Sequence, residues 1–561
     1  MSSWPRPPAL ALPALLLLLP ADSPTPPAAS SLTVIEHVDL LPMNREGVIP
    51  DQTIAVSGGV IRSIVPAESY RPPDGALRID GRGWFAMPGL ADMHVHLYDD
   101  AGLVSYLAHG VTTIASLNGF PEVLQWRRSV ASGARLGPTI YSTGPSINGN
   151  PPGNASFVSV ETAAAARAAV IEQIRAGYDM VKVYSTLPVE AYDAVLAEAR
   201  ARKIAVMGHI PQLVSWRGVL ARDGQSNIAH GEEFLNTATG GNPADTSMIP
   251  AIVEAARAAG VTVTANLFAY SDYLASIADL QATLRNPEMA YASPALLSEK
   301  LPAHNRSVRS NPQGFANFLR VGHAWIGKLT LALSRAGVPI LVGTDTEIFG
   351  YPGQSAVAEI RELVQAGLTP YQALTAATRA PGEYVRRHVR PLDRFGTLEV
   401  GTRADLLLLR GNPLASLEHL EEVAGVMVCG HWLSASRLAE LRDSIARTTS
   451  GQRMAATLID SLALAGKVDE AVTQFRAMRA RWPGVRPLAQ VVLLQDGQRL
   501  FAGDPRGAIG LMTLAVETYP QSSSALSTRG RAFLAVGDTA WPGAIWPWPS
   551  GWSRPAPWSP T

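Results

Sequence analysis

The chain of 561 residues holds a single cysteine, Cys429, which excludes an intrachain disulfide and any cysteine-rich metal site. Metal chemistry, if the protein uses it, falls to histidine and carboxylates. Lysine is almost as scarce: Lys182, Lys203, Lys300, Lys328 and Lys467 are the full set. A lysine placed in an apolar strand therefore stands out. Neither sign of charge is in excess, with Lys+Arg and Asp+Glu both at 47, so bulk charge supplies neither a nucleic-acid surface nor a polybasic membrane surface. Beyond the N-terminal region no apolar run reaches the roughly eighteen residues of a membrane span. What the chain does have is apolar content: 47% hydrophobic against 17% charged residues supports a sizeable core and several domains.

The first residues read as a leader. Arg6 precedes the short apolar run Ala9–Leu19, and a Pro/Ala/Ser stretch follows to Ser30. This pattern predicts a signal peptide over 1–29 and an exported, periplasmic or secreted protein. Residues 33–41 and 53–65 alternate like antiparallel strands, with Gly58-Gly59 at a hairpin turn. From there apolar strands alternate with helical stretches. The strand candidates are Phe85–Leu97, Thr112–Asn118, Thr139–Gly144, Asp179–Tyr184, Ile204–Ile210, Asn227–Glu233, Val261–Leu267 and Pro339–Asp345. Glycines 110, 177, 260 and 337 close helical stretches just before a strand, the usual place of a helix C-cap glycine. Eight such alternations predict an α/β fold of the (β/α)8 TIM-type barrel over 86–390. The competing open doubly wound sheet lacks a Gly-rich phosphate loop here. Residues 404–410 and 423–433 are β-like again, so a small composite β-sandwich is expected from 30–85 together with 391–438.

In such a barrel chemistry sits at the C-terminal ends of the strands. His94 and His96 end the first candidate strand, and residues i and i+2 on a strand face one side, so both imidazoles can meet one ion. Lys182 lies in the fourth strand, His209 ends the fifth, His230 the sixth and Asp345 the eighth. Imidazole and carboxylate are zinc-type ligands. An ammonium is not, but burial favours the neutral amine, which can take up CO2 as a carbamate. The bland reading of Lys182 is an ion pair with Asp345 or Glu232. Two ions about 3.5–4 Å apart can share a hydroxide and polarise a carbonyl, with Asp345 as general base and then acid. Tyr184, two residues beyond Lys182, faces the same side and is a candidate donor to substrate, or a packing residue. The long segment Phe268–His323 reads as a lid, with His304, Arg306 and Arg309 as candidate substrate contacts.

Several segments carry a family resemblance. Phe85–Leu97 with its Asp92-Met-His-Val-His96, Lys182, His209, His230-Gly-Glu232, Val342-Gly-Thr-Asp345, Ala366–Thr378 and Gly396–Leu406 resemble the amidohydrolase superfamily, in its imidazolonepropionase-related and Xaa-Pro-dipeptidase-like branch. The resemblance implies hydrolysis of an amide or other C–N bond in a dipeptide, N-acyl amino acid or cyclic amide. It implies two divalent ions, most simply zinc: one on His94, His96 and Asp345, the other on His209 and His230, with carboxylated Lys182 between them. Imidazolonepropionases use one metal and lack this lysine, so Lys182 points to the two-metal side. The chain departs from dipeptide-cleaving members where they often carry a histidine after strand three; residues 145–154 here have none, and Ile210-Pro-Gln212 follows His209.

Beyond 439 the chain is Ala/Leu/Arg-rich. Gly466–Ala471 with Trp482-Pro483 and Gly503–Ala508 with Tyr519-Pro520 share one template, which predicts a tetratricopeptide-like helical region over 439–540 and with it a protein or peptide partner. A Trp/Pro-rich tail, 541–561, cannot continue a repeat helix and is expected to be disordered. Two rival functions remain: a binding scaffold whose repeats act beside an inactive barrel, and a one-metal cyclic-imide hydrolase or deaminase. Retention of all six metal-type residues argues against an inactive barrel.

Overall fold

Apolar residues of the first strands share one core: Ile35, Val38 and Leu40 in one, Ile54 and Val56 in the next. The computed structural model describes residues 32–538 except 150–156, 302, 305–311, 347–348, 502 and 521–522. The leader and the Trp/Pro tail therefore lie outside the described residues, as do Arg306 and Arg309.

Strands β1 (Thr33–Leu40), β2 (Ile49–Ser57), β3 (Val60–Pro66), β4 (Leu77–Asp80) and β5 (Phe85–Pro88) form one sheet with β16 (Leu406–Leu409), β17 (Val423–Val428) and β18 (His431–Ser434). The order is β18-β17-β16-β5-β1-β2-β3, with β4 on β1. The N-terminal and C-terminal parts of this sheet are joined where β5 pairs antiparallel with β16, Leu406 opposite Pro88. Residues 85–97 are not one strand. They split at Gly89 into β5, which stays in this sheet, and β6 (Leu90–Val95), which starts the next. The cause is steric: a Cβ at Gly89 would lie 2.2 Å from the Thr112 hydroxyl, so only glycine lets the chain cross so near β7 (Val111–Ser116).

The sheet β6-β7-β8, with β8 at Thr139–Ser142, is wholly parallel. The other sheet runs β10-β9-β11-β12-β13-β14-β15 and is also parallel. Its strands are β9 (Ser146–Asn148), β10 (Phe157–Ser159), β11 (Met180–Val183), β12 (Ala205–Gly208), β13 (Gln225–Ala229), β14 (Thr262–Thr264) and β15 (Ile340–Leu341). Isolated parallel bridges Thr143–Met180 and Val95–Thr346 join the two sheets at both margins. The fold is mixed α/β, with helices such as Ala163–Ala176, Val189–Arg202 and Ile249–Ala259 between strands.

The long segment after β14 is helical: Leu267–Ala278, Leu280–Leu284, Pro294–Lys300 and Pro312–Arg335. C-terminal helices Ala435–Leu464, Val468–Arg481, Gln490–Phe501, Pro505–Thr518 and Ser523–Ala535 pack on it and share an apolar core that includes Ala295. Polar contacts reinforce this. Ser298 Oγ accepts from Ala489 N at 3.0 Å. Arg486 donates to the Tyr98 carbonyl at 2.7 Å, two residues past His96. Arg442 donates to buried Glu288 at 2.5 Å and lies 3.9 Å from the Tyr291 ring centroid. Because Glu288 is buried, removing its guanidinium partner leaves a carboxylate that only His109, 3.4 Å away, can compensate. Arg442→Ala is expected to cost about 3 kcal/mol, read as a fall in thermal unfolding temperature. An unchanged unfolding temperature would show that this contact does not hold the helices to the body.

Among the described residues no helix is long and apolar enough to cross a membrane.

Candidate metal centre

Each candidate ligand stands at or just past the C-terminal end of a parallel strand: His94 and His96 at β6, Lys182 in β11, His209 after β12, His230 after β13 and Asp345 beyond β15. All six are buried, Lys182 to 1% exposure. The strands are drawn together by glycine. A Cβ at Gly208 would sit 2.3 Å from the Val183 carbonyl oxygen and 3.0 Å from Lys182 Cγ, and its φ of +125° also suits glycine. At Gly343 a Cβ would meet His94 Cβ at 2.7 Å. His230 and Asp345 themselves hold left-handed backbone, φ 82° and 59°, where each strand breaks sharply into its loop.

The side chains converge. Ring centroids lie 5.4 Å apart for His94 and His96, 4.5 Å for His94 and His230, and 4.7 Å for His209 and His230. Asp345 Oδ1 is 3.1 Å from His94 Nε2 and 2.7 Å from His96 Nε2. That oxygen nevertheless makes no hydrogen bond of proper geometry, and one ligand atom each from His94, His230 and Asp345 fall within 4.8 Å of one another. Ligand-type atoms crowded together without hydrogen-bond geometry are what a shared cation would satisfy, so the residues present fit a divalent metal. Lys182 Nζ lies 3.2 Å from His94 Nε2, and no described carboxylate forms an ion pair with it. The ion-pair reading with Asp345 or Glu232 is thus not realised in the described structure.

Electrostatics follow from burial. Burial and the Lys182 charge push His94 down to about 3, and burial lowers His96 and His230 as well, which keeps the imidazoles neutral and able to ligate. Burial brings Lys182 down to about 8, opposed by Asp345 and Glu233, so a neutral amine lies within reach. Burial works against the Asp345 carboxylate, but His94 and His96 outweigh it and hold the group well below the usual range.

Tyr184 packs on His209, centroids 3.8 Å apart, and meets Phe157 edge-on at 4.7 Å. Two supporting residues were not singled out from the sequence. Glu233 Oε1 is 2.7 Å from His209 Nδ1, which turns the opposite ring nitrogen away from it, and Glu233 Oε2 accepts from Ile210 N at 3.0 Å. Asp92 accepts from His94 N and Thr344 N, each at 3.2 Å, and from the Thr344 hydroxyl at 2.7 Å, tying β6 to the Asp345 turn. Asp92 sits in the His-x-His motif and was findable there; Glu233 has no local signal beyond its place after His230. Asn266, at the end of β14, is fully buried with neither side-chain polar atom hydrogen-bonded.

The lid reading of His304 is corrected. The imidazole is buried, with Nε2 2.6 Å from Asp460 Oδ1 on the helix Ala435–Leu464, because that carboxylate offers it a partner. It contacts the C-terminal helices instead of a substrate.

The model of the Amidohydrolase family matches residues 85–433. Adenine deaminase from Chelativorans sp. is 28% identical over 192 residues, 32% of this chain and 32% of that protein. Dihydroorotase from Staphylococcus aureus is 34% identical over 79 residues, 14% of this chain and 18% of that one. The chain thus aligns with a third or less of the length of these curated relatives. Among solved structures, bottromycin amidohydrolase superposes with TM-score 0.59 at 23% identity, covering 74% of this chain and 90% of the other. A Xaa-Pro dipeptidase with bound methionine in the active site gives 0.55 at 20% identity, covering 72% and 100%. These likenesses establish a common fold.

Proposed function

The chain belongs to the amidohydrolase family, and from that premise we propose that it is an exported metal-dependent hydrolase of an amide or other C–N bond in a small molecule such as a dipeptide, an N-acyl amino acid or a cyclic amide. One observation carries the two-metal form of the reading. Lys182 is buried among four imidazoles and Asp345, with its amine 3.2 Å from His94 Nε2 and without a paired carboxylate, a place that suits a carbamate better than an ammonium. The two parallel sheets are read as one eight-stranded barrel, which the bridges Val95–Thr346 and Thr143–Met180 support. In this assignment His94, His96 and Asp345 would hold one divalent ion and His209 and His230 the other, with Lys182, if carboxylated, as a ligand shared by both. Zinc suits the N/O donor set. When bound, such ions supply Lewis-acid polarisation of a carbonyl and a water of lowered pKa.

The chain's own residues do the rest. Asp345, held ionised by His94 and His96, takes a proton from the attacking water and hands it to the leaving nitrogen. Glu233 fixes the His209 ring through Nδ1, and Asp92 keeps the Asp345 turn against β6. Tyr184, whose ring packs on His209, is our candidate donor to the substrate carbonyl or carboxylate. The C-terminal helices are read as tetratricopeptide-like, with a protein or peptide partner for the faces that do not pack on the body.

The test is a hydrolysis screen of N-acyl amino acids and dipeptides with zinc-loaded protein. The expected result is turnover of at least one class that a chelator abolishes. No turnover, with no metal retained, would favour the scaffold reading instead. The convergence of His94, His230 and Asp345 within 4.8 Å favours a one-metal deaminase or cyclic-imide hydrolase as the second reading. Metal analysis separates the two: two ions at the family centre against one.

A further inference from the structure

Apart from the six candidate ligands, a second set of metal-type side chains is buried where the segment after β14 meets the C-terminal helices. His304 Nε2 lies 2.6 Å from Asp460 Oδ1 and 3.9 Å from Asp496 Oδ2. Asp460 comes from the helix Ala435–Leu464 and Asp496 from the helix Gln490–Phe501, so three separate stretches of chain meet there. The residues are 4%, 3% and 2% exposed, and their ligand atoms fall within 4.8 Å of one another.

The charges do not balance by themselves. Two carboxylates face one imidazole, and among the described residues the other cation in reach is Arg499, 3.5 Å from Asp496 Oδ1 and itself 45% exposed. Asp496 Oδ2 is buried, lies 3.9 Å from His304 Nε2 and has no hydrogen-bond partner among the described residues. A buried carboxylate oxygen without a donor is costly, by about 1–3 kcal/mol or more. Burial does push Asp496 up, to about 6, yet at neutral pH that still leaves the carboxylate form dominant.

We propose that His304, Asp460 and Asp496 bind one divalent cation of the zinc class, separate from the amidohydrolase centre, and that this ion pins the segment after β14 to the C-terminal helices. One imidazole and two carboxylates are a zinc-type donor set, with a position left for water. Atoms bonded to one tetrahedral ion at about 2.0–2.2 Å lie about 3.3–3.6 Å apart. The contacts of 2.6 and 3.9 Å bracket that spacing. The amidohydrolase centre shows the same close approach of imidazole to carboxylate, 2.7 Å between His96 and Asp345. The ion cancels the surplus negative charge and satisfies Asp496 Oδ2. It needs His304 deprotonated at Nε2, so its uptake displaces the proton that Asp460 otherwise favours there.

The test counts metal. Full-length protein is loaded with zinc, freed of excess and assayed for metal per chain, as the parent and as Asp496→Ala and His304→Ala. Each variant is expected to carry one equivalent less than the parent, and zinc is expected to raise the Tm of the stripped parent more than that of either variant. A folded Asp496→Ala with the parent's metal content overturns the proposal and leaves the cluster as an ion-pair latch. Should these variants fail to fold, the count is made on chain with His94, His96, His209 and His230 changed to alanine. One ion retained there and lost on adding Asp460→Ala supports the site; no zinc retained overturns it.

Discussion

Asp345→Asn is expected to turn over substrate at least about 100-fold more slowly than the parent while keeping its metals, the lower end of what general acid–base catalysis contributes. The reason lies in what the substitution preserves. Asparagine keeps the shape of the side chain and an oxygen beside His94 Nε2 and His96 Nε2, where Asp345 Oδ1 lies at 3.1 and 2.7 Å. It cannot accept a proton and return it. The loss should appear in kcat more than in KM, because proton transfer matters chiefly in the transition state. Metal content measured on the same preparation separates chemistry from ligation. A variant with its metals in place and a nearly parental rate would reduce Asp345 to a ligand. The proton would then travel by another group, with His230 and Glu232 next in line. Glu232 is half-buried, and desolvation together with the Glu233 charge raises it to about 8, which suits a proton carrier near neutral pH.

The second large effect is at Lys182. If its amine is a carbamate that holds two ions together, Lys182→Ala should lose one ion and about 10³-fold in rate, the scale of several kcal/mol of lost Lewis-acid stabilisation. Short carboxylates are expected to restore part of the rate by occupying the vacated volume beside His94 and His230. The truncation also opens a cavity in a site that is 1% exposed, at a cost of about 2–5 kcal/mol by analogy with large-to-small core substitutions, so metal content is read on the folded fraction. Lys182→Arg removes the carbamate chemistry but keeps a cation. Full activity and full metal content in that variant would sink the bridging role.

How much of this was legible in the residues varies with how local the signal is. His94 and His96 announce a shared face because a strand alternates sides, and that geometry needs nothing beyond three consecutive residues. Lys182 stood out through scarcity and its apolar neighbours. The split of residues 85–97 at Gly89 was not legible, since the same apolar letters suit one long strand or two short ones. What separates them is Thr112, packed where a Cβ would stand. The partner of His209 was not legible either. Glu233 is 24 residues away and acquires its role because the β13 loop folds back over the end of β12.

His304 shows the limit most sharply. In sequence it is one polar residue in a long segment and reads as a surface charge or a substrate contact. Asp460 lies 156 residues further on, inside a long helix whose pattern marks it as nothing more than a polar position. The sequence by itself determined the donor types, their placement at strand ends, the absence of cysteine chemistry and the family to which the chain is compared. The tertiary structure alone decided which donors meet, which carboxylates orient them, and that the C-terminal helices pack against the segment after β14. The physical reason is that alternation, capping and turn chemistry act over a few residues, whereas the pairing of buried charges depends on which distant segments share one desolvated space.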